Sequence, residues 1–366
     1  MSAIQKIFVV GGTGAQGMPV VRGLVDKYRC RILTRDVSSP RALELKALGP
    51  NIELFQGVFT DTAVLRQGMK DCDGVFFNLD GFNTGEKAET FWAIRSYELA
   101  REQGVRFFVY GNLDYGYKKG GYDPKYRCGH YDGKGRIGEW VLAQSKGSPM
   151  GAAVFTTGPY MDMTVAYGTP MMPSIVDGTA TWAVPLGKGA VPHVCLEDCG
   201  PYVRWLFDHF DGEANGMDLE VAIDHIAYED LASAFSAVTG KPARYVDVTL
   251  DEYWEKGPMS KAATNATGYT VDPDDAAAMT MRDNFTGFWN LWKNSGGNAG
   301  VIRRDYALLD RIHPTRIKSA HEWFKKQDEV ARKKGSSLWQ MAENTKPILK
   351  IHEDFASGKI THRSRV

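Results

Sequence analysis

The chain has 366 residues, and its 44 Lys+Arg balance 44 Asp+Glu, so a general affinity for nucleic acid or anionic surfaces is not its default. Apolar residues make up 43% and charged residues 24%, the proportions of a globular α/β protein rather than a disordered or fibrous one. The length exceeds the roughly 250–300 residues at which a single core stops growing, which predicts one large domain with a satellite, or two domains.

Five cysteines (Cys30, Cys72, Cys128, Cys195 and Cys199) are odd in number and form no CxxC pair, as expected of free thiols in a reducing compartment. His193, Cys195 and Cys199 lie close together, but their spacing matches no common zinc pattern and no second ligand pair follows, so no metal is expected. No apolar stretch approaches the roughly 18–20 residues of a membrane span. The opening MSAIQKIFVVGG lacks a signal-peptide cleavage region. The expectation is a cytoplasmic protein with no membrane association, the nucleus also being open to it. The sequons at Asn265 and Asn284 would then stay unmodified.

The elements alternate through the first 160 residues. Ile7-Phe8-Val9-Val10 reads as a buried parallel strand, and a helical pattern follows from Met18 to Tyr28. Strands at 30–34, 52–55, 74–78 and 106–110 then alternate with helices at 40–48, 62–69 and 86–103, and Ala152–Thr156 reads as a sixth strand. Right-handed βαβ crossovers of this kind make one parallel sheet covered on both faces, a doubly wound Rossmann-type fold.

Gly11-Gly12-Thr13-Gly14-Ala15-Gln16-Gly17 joins the first strand to the first helix, with glycines at GxxGxxG spacing. Gly11 permits the tight turn, Gly14 lets backbone approach a pyrophosphate, and Gly17 lets the helix pack on the sheet; the helix N-terminus, with Thr13 and Gln16 beside it, offers N–H donors to phosphate. At the end of the second strand stands Arg35, whose planar fork suits a 2′-phosphate, with Arg41 in reach. The neighbouring Asp36 keeps NAD open, and NADP(H) is the preferred cofactor. Asp61 and Asn78 close the third and fourth strands, where ligands of open α/β sheets bind, although Asp61 could equally cap a helix.

With GGTGAQG, LTRD and the segment GHYDGKGRIGEW at 129–140, the chain resembles the NmrA-like family, an atypical branch of the short-chain dehydrogenase/reductases, and within it the human-type NADPH-sensor members. TTGPYMDM (156–163), PHVCLEDCGPYV (192–203) and the stretch 302–326 look like fungal-type members. The resemblance covers roughly residues 4–326. It implies either an NADP-dependent reductase or an NADP(H) redox sensor that regulates a protein partner such as a transcription factor. Ordinary short-chain dehydrogenases use a YxxxK pair; here His130 stands at the tyrosine place and Lys134 keeps the lysine place, so the resemblance implies Lys134 near the nicotinamide. A literal YxxxK at Tyr115 and Lys119 falls in a glycine-rich stretch that does not read as helix.

A catalytic reading assigns Lys134 to the ribose or the acceptor, His130 to proton donation, and Tyr160, after Gly158-Pro159, to the flank of the nicotinamide. The helix around them is expected from Ile137 to Gln144, since Gly129, Gly133 and Gly135 oppose an earlier start. Beyond residue 165 the pattern becomes irregular. It predicts a smaller, mostly α-helical substrate subdomain over 166–326, with a strand at 221–223 returning to the sheet, and a C-terminal extension over 327–366. Met161, Met163, Met171, Met172 and Trp182 could line a pocket or fill a core, while Phe285, Phe288, Trp289 and Trp292 share one helix face and read as core. The expected substrate is a small carbonyl, imine or activated alkene. No direct nucleic-acid contact is expected, and a homodimer is compatible with the sequence.

Overall fold

A computed structural model of the chain describes residues 3–267 and 278–350. The first lobe alternates as its hydrophobic pattern predicts: β1 (Lys6–Val10), α1 (Gly17–Leu24), β2 (Arg29–Thr34), α2 (Pro40–Lys46), β3 (Ile52–Gln56), α3 (Thr62–Met69), β4 (Gly74–Phe77), α4 (Gly81–Thr84), α5 (Glu86–Glu102), β5 (Phe107–Leu113), α6 (Gly116–Lys119), α7 (Gly129–Ser145) and β6 (Gly151–Thr157). Strands β1, β4, β5 and β6 are buried on both faces because helices cover the sheet above and below, which is why they read as continuous apolar runs, whereas the edge strand β3 exposes Glu53 and Gln56.

The second lobe supplies β7 (Ser174–Val176), β8 (Thr179–Val184), β9 (Val191–Pro192), α8 (Cys199–Asp208), β10 (Asp218–Glu220), β11 (His225–Ile226), α9 (Tyr228–Thr239), β12 (Ala243–Asp247), α10 (Leu250–Lys256), α11 (Met281–Lys293), α12 (Tyr306–Ile312), α13 (Ala320–Lys333) and α14 (Leu338–Glu343). The seven-stranded sheet has the order β10-β6-β5-β4-β1-β2-β3, and every neighbouring pair is parallel. Chain direction around the sheet reverses between β1 and β4, so the loops after these two strands diverge and leave a crevice at their carboxyl ends.

Two expectations are corrected. Helix α7 begins at Gly129 rather than at Ile137. A Cβ at Gly135 would stand 2.4 Å from that of Tyr115, so close packing against the segment after β5 requires glycine and outweighs its poor helix propensity. The returning strand is Asp218–Glu220, three residues before the expected one, paired with β6. The second lobe is mostly helical, as expected, and also carries a three-stranded sheet, β12-β8-β7, and a β11-β9 pair around a core that holds Trp182, Trp289, Trp292 and Trp323. The lobes are joined by a fully buried, two-pronged ion pair in which Arg304 donates from Nη1 and Nη2 to Asp114 at 2.9 and 2.7 Å.

Candidate cofactor and reactive site

One cavity of about 490 Å³ runs from the glycine-rich turn, across the ends of β1 and β4, to the apolar wall of the second lobe. Its phosphate end is built from backbone. Gly11 holds φ +81°, and a Cβ there would lie 2.2 Å from the Asn78 carbonyl oxygen; Gly14 N–H closes the turn on the Gly11 carbonyl at 2.9 Å. Gly17 lies beneath the turn, where a Cβ would stand 2.0 Å from the same carbonyl, so it packs the helix rather than lining the cavity. Gln16 heads α1, and its Oε1 accepts from Tyr160 O–H at 3.1 Å and Asn78 Nδ2 at 3.5 Å. The buried Nε2 of Gln16 has no protein partner among the described residues, a donor left over for a ligand.

Arg35 lines the cavity where β2 ends, while the Asp36 carboxylate accepts from N–H and O–H of Ser38 at 2.8 and 2.6 Å. Arg41 donates to the Thr13 carbonyl at 3.3 Å. Asp61 caps α3, accepting from the N–H of Ala63 and Val64 at 2.7 and 3.2 Å; the cavity wall there is Gly57–Thr60 instead. That is a correction to its expected place beside the cofactor, and capping is its physical reason. Pro159 and Asn78 line the cavity, and the Pro159 carbonyl accepts from Val194 N–H at 2.9 Å.

The reactive end is built from side chains. The early start of α7 puts His130 and Lys134 one turn apart on the face toward the cavity. Lys134 Nζ donates to Glu89 Oε1 at 2.5 Å, to the Leu79 carbonyl at 2.9 Å and to the Gly111 carbonyl at 3.3 Å, so its three donors have protein acceptors. Glu89 is fully buried on α5; burial pushes its carboxyl up, and Lys134 opposes the shift. The His130 Nδ1 lies 3.0–3.1 Å from the side-chain amide of Asn284. Burial lowers the pKa of His130 to about 3, which keeps its ring neutral at physiological pH and weighs against the proton donation expected of it. Burial likewise pushes the Tyr160 hydroxyl up, and its proton is given to Gln16.

Around His130 stand Phe82, with ring centroids 4.3 Å apart, and Phe285, which stacks on Phe82 at 5.7 Å with an interplanar angle of 2°. Met163, Met259 and Met281 complete this wall. Phe285 and Phe288 therefore border the cavity as well as the core, whereas Met161, Met171, Trp182, Trp289 and Trp292 are core alone and Met172 lies outside the lining. Lys119 of the literal YxxxK pairs with Asp114 at 2.8 Å and with Glu220, away from the cavity. His193 faces the Pro159 carbonyl and Tyr228, and Cys195 faces Glu197. The Asn284 sequon is buried at the His130 contact. Sequence reading missed Glu89, although an acidic residue in the stripe Glu89, Ala93, Ser96, Tyr97 and Ala100 was visible as an anomaly. It also missed Phe82, Met259, Met281 and Lys350.

The sheet order and the glycine turn define a Rossmann-type protein. The model of the NmrA-like family matches residues 3–270, and the chain belongs to that family. It is 26% identical over 254 residues to an NmrA-like family domain-containing oxidoreductase of Aspergillus japonicus, covering 66% of this chain and 76% of that one. Among solved structures, the negative transcriptional regulator NmrA in complex with NAD superposes with TM-score 0.66 at 17% identity, covering 92% of this chain and 99% of that one. The NADPH-dependent quinone oxidoreductase of Escherichia coli, complexed with NADPH, gives 0.63 at 16% identity, covering 87% and 98%.

Proposed function

We propose that the chain binds NADP(H) and reduces a small organic carbonyl, imine or activated alkene. The observation that carries this reading is the continuity of one cavity from a phosphate-type turn, with Arg35 at its β2 edge, to an apolar aromatic wall beside His130 and Lys134. The residues fit the cofactor: the backbone of Gly11–Gln16 would hold the pyrophosphate, Gln16 Nε2 supplies an unused buried donor, and Arg35 would meet the 2′-phosphate. When bound, the nicotinamide supplies the hydride. The chain's own part is placement and polarity. Lys134, held by Glu89, is a fixed positive charge that favours negative charge developing on an acceptor oxygen or nitrogen. Neutral His130 acts as an oriented dipole beside that acceptor, with its Nδ1 held at the side-chain amide of Asn284. Phe82, Phe285 and the methionines exclude water and favour a flat apolar substrate.

A second reading, an NADP(H)-binding regulator without turnover, is favoured by one feature: Lys134 is saturated by protein acceptors, and neither His130 nor Tyr160 offers an acidic proton. Titration of NADPH and NADH by calorimetry, followed by a screen of NADPH oxidation against carbonyls, imines and quinones, separates the two. Tight NADPH binding with substrate-dependent oxidation supports the reductase. Tight binding that stays inert across the panel overturns it in favour of the regulator.

A further inference from the structure

His130 meets the cavity wall with one ring nitrogen committed and the other open. Its Nδ1 faces the side-chain amide of Asn284, 3.0 Å from Nδ2 and 3.1 Å from Oδ1. Its Nε2 has no protein partner among the described residues and is left open to the cavity that the ring lines. Asn284 is fully buried on α11, 154 positions along the chain from His130. Beside both, just ahead of α7, lies the buried thiol of Cys128, 3.7 Å from Asn284 Oδ1 and 3.4 Å from His130 Nδ1. Burial pushes that thiol well above its ordinary range, so it keeps an S–H to donate. The ring is neutral, and a neutral imidazole carries its one hydrogen on either nitrogen.

The two placements differ in what they leave unpaired. With the hydrogen on Nδ1, the ring donates to Asn284 Oδ1, the Cys128 S–H competes for the same oxygen, and Asn284 Nδ2 keeps no acceptor among the described residues. With the hydrogen on Nε2, Asn284 Nδ2 donates to Nδ1, the Cys128 S–H donates to Oδ1, and each of these groups is paired. A buried amide hydrogen without an acceptor costs more than an ordinary hydrogen bond returns, which favours the second placement. Resting on the reductase reading above, we propose that Asn284, itself oriented by Cys128, is a positioning residue that holds His130 as the Nε2–H tautomer, so that Nε2 donates a hydrogen bond to a carbonyl oxygen of the substrate. The donors of Lys134 are taken by protein acceptors and the Tyr160 O–H by Gln16, so His130 supplies the directional contact that they do not. A neutral imidazole polarises a carbonyl without giving up its proton, so the contact needs no acidic histidine. The same donor selects among substrates. A carbonyl oxygen offers Nε2–H a lone pair, whereas an iminium nitrogen offers none, which narrows the substrate class to neutral carbonyl compounds.

The test has a spectroscopic and a kinetic arm. In the full chain carrying ¹⁵N-labelled histidine, long-range proton–nitrogen correlation spectra at pH 7 read the tautomer of each ring, and His130→Phe assigns the His130 signals. The expected spectrum has the N–H on Nε2 and a bare Nδ1 at the upfield position of a nitrogen that accepts a hydrogen bond, and Asn284→Leu moves that Nδ1 signal downfield. A hydrogen on Nδ1, or an Nδ1 signal that Asn284→Leu leaves in place, overturns the proposal. In the kinetic arm, kcat/KM for NADPH-dependent reduction of a naphthoquinone or an aryl ketone should fall about a hundredfold in His130→Phe and less than about tenfold in His130→Gln, which keeps an N–H at similar reach, with NADPH affinity within about twofold in both. A His130→Phe chain that turns over as fast as the wild type overturns the proposal. A wild type that oxidises no NADPH with any carbonyl overturns the reductase reading and the carbonyl contact with it, and the spectra alone then decide the part of Asn284.

Discussion

The two ends of the cavity are made in opposite ways. At the phosphate end, seven consecutive residues, 11–17, form a turn whose function lies in backbone N–H groups and in the absence of Cβ atoms. At the reactive end, Phe82, Glu89, His130, Lys134, Met163, Asn284 and Phe285 come from segments spread over some two hundred residues, and their function lies in side chains held by tertiary contacts. The contrast teaches that a backbone site tolerates exchange of its neighbours but not of its glycines. A side-chain site fails when any supporting partner is lost.

The largest effect is expected where support and function coincide. Lys134→Met leaves the buried Glu89 without its cation and should cost about 3–5 kcal/mol in urea unfolding, with Glu89→Leu comparably costly for stranding the ammonium. The double variant should be more stable than either single one, and a Lys134→Met chain as stable as the wild type would remove the ion pair from the account. Gly14→Val attacks the other end: NADPH affinity should fall at least about a hundredfold in calorimetry while circular dichroism stays native, because the added bulk stands where the pyrophosphate approaches. Arg35→Glu sharpens the comparison within the phosphate end. NADPH should weaken about thirtyfold and NADH about threefold or less, and equal losses would deny Arg35 a part in 2′-phosphate recognition.

The smallest effect is a change of slope. Burial keeps His130 neutral in the folded chain down to about pH 3, while in the unfolded chain it takes up a proton below its ordinary 6.5. Its contribution is therefore fully present above pH 6.5 and is lost as pH falls toward 3, by at most about 1.4 kcal/mol per pH unit. His130→Phe should flatten the decline of the urea midpoint between pH 6 and pH 4 relative to the wild type. Parallel profiles would show that His130 titrates normally.

Much of the first lobe was legible because parallel strands buried on both faces must be apolar throughout, and because a phosphate turn between strand and helix needs glycine at fixed offsets. The start of α7 was not. Local propensity places three glycines outside a helix, and only the approach of Tyr115 to Gly135 explains why they are inside one. Asp61 shows the converse, since an acidic residue at the end of a strand serves a cofactor or the next helix with the same local sequence, and hydrogen bonds to Ala63 and Val64 decide for the helix. His130 and Lys134 were identified through the family motif, but their states came from partners on α5 and α11.

By itself, the sequence determined the alternation of strands and helices, the parallel Rossmann-type sheet, the glycine turn and the cation that follows β2. These depend on backbone geometry and on periodicities of two and 3.6, which neighbouring residues encode. Tertiary structure alone decided that Lys134 is paired with a buried carboxylate, that His130 is neutral, that Phe285 faces a cavity as well as a core, and that Lys350 meets Thr13 across 337 positions of chain. Such meetings depend on how preformed elements pack, and no local pattern encodes them.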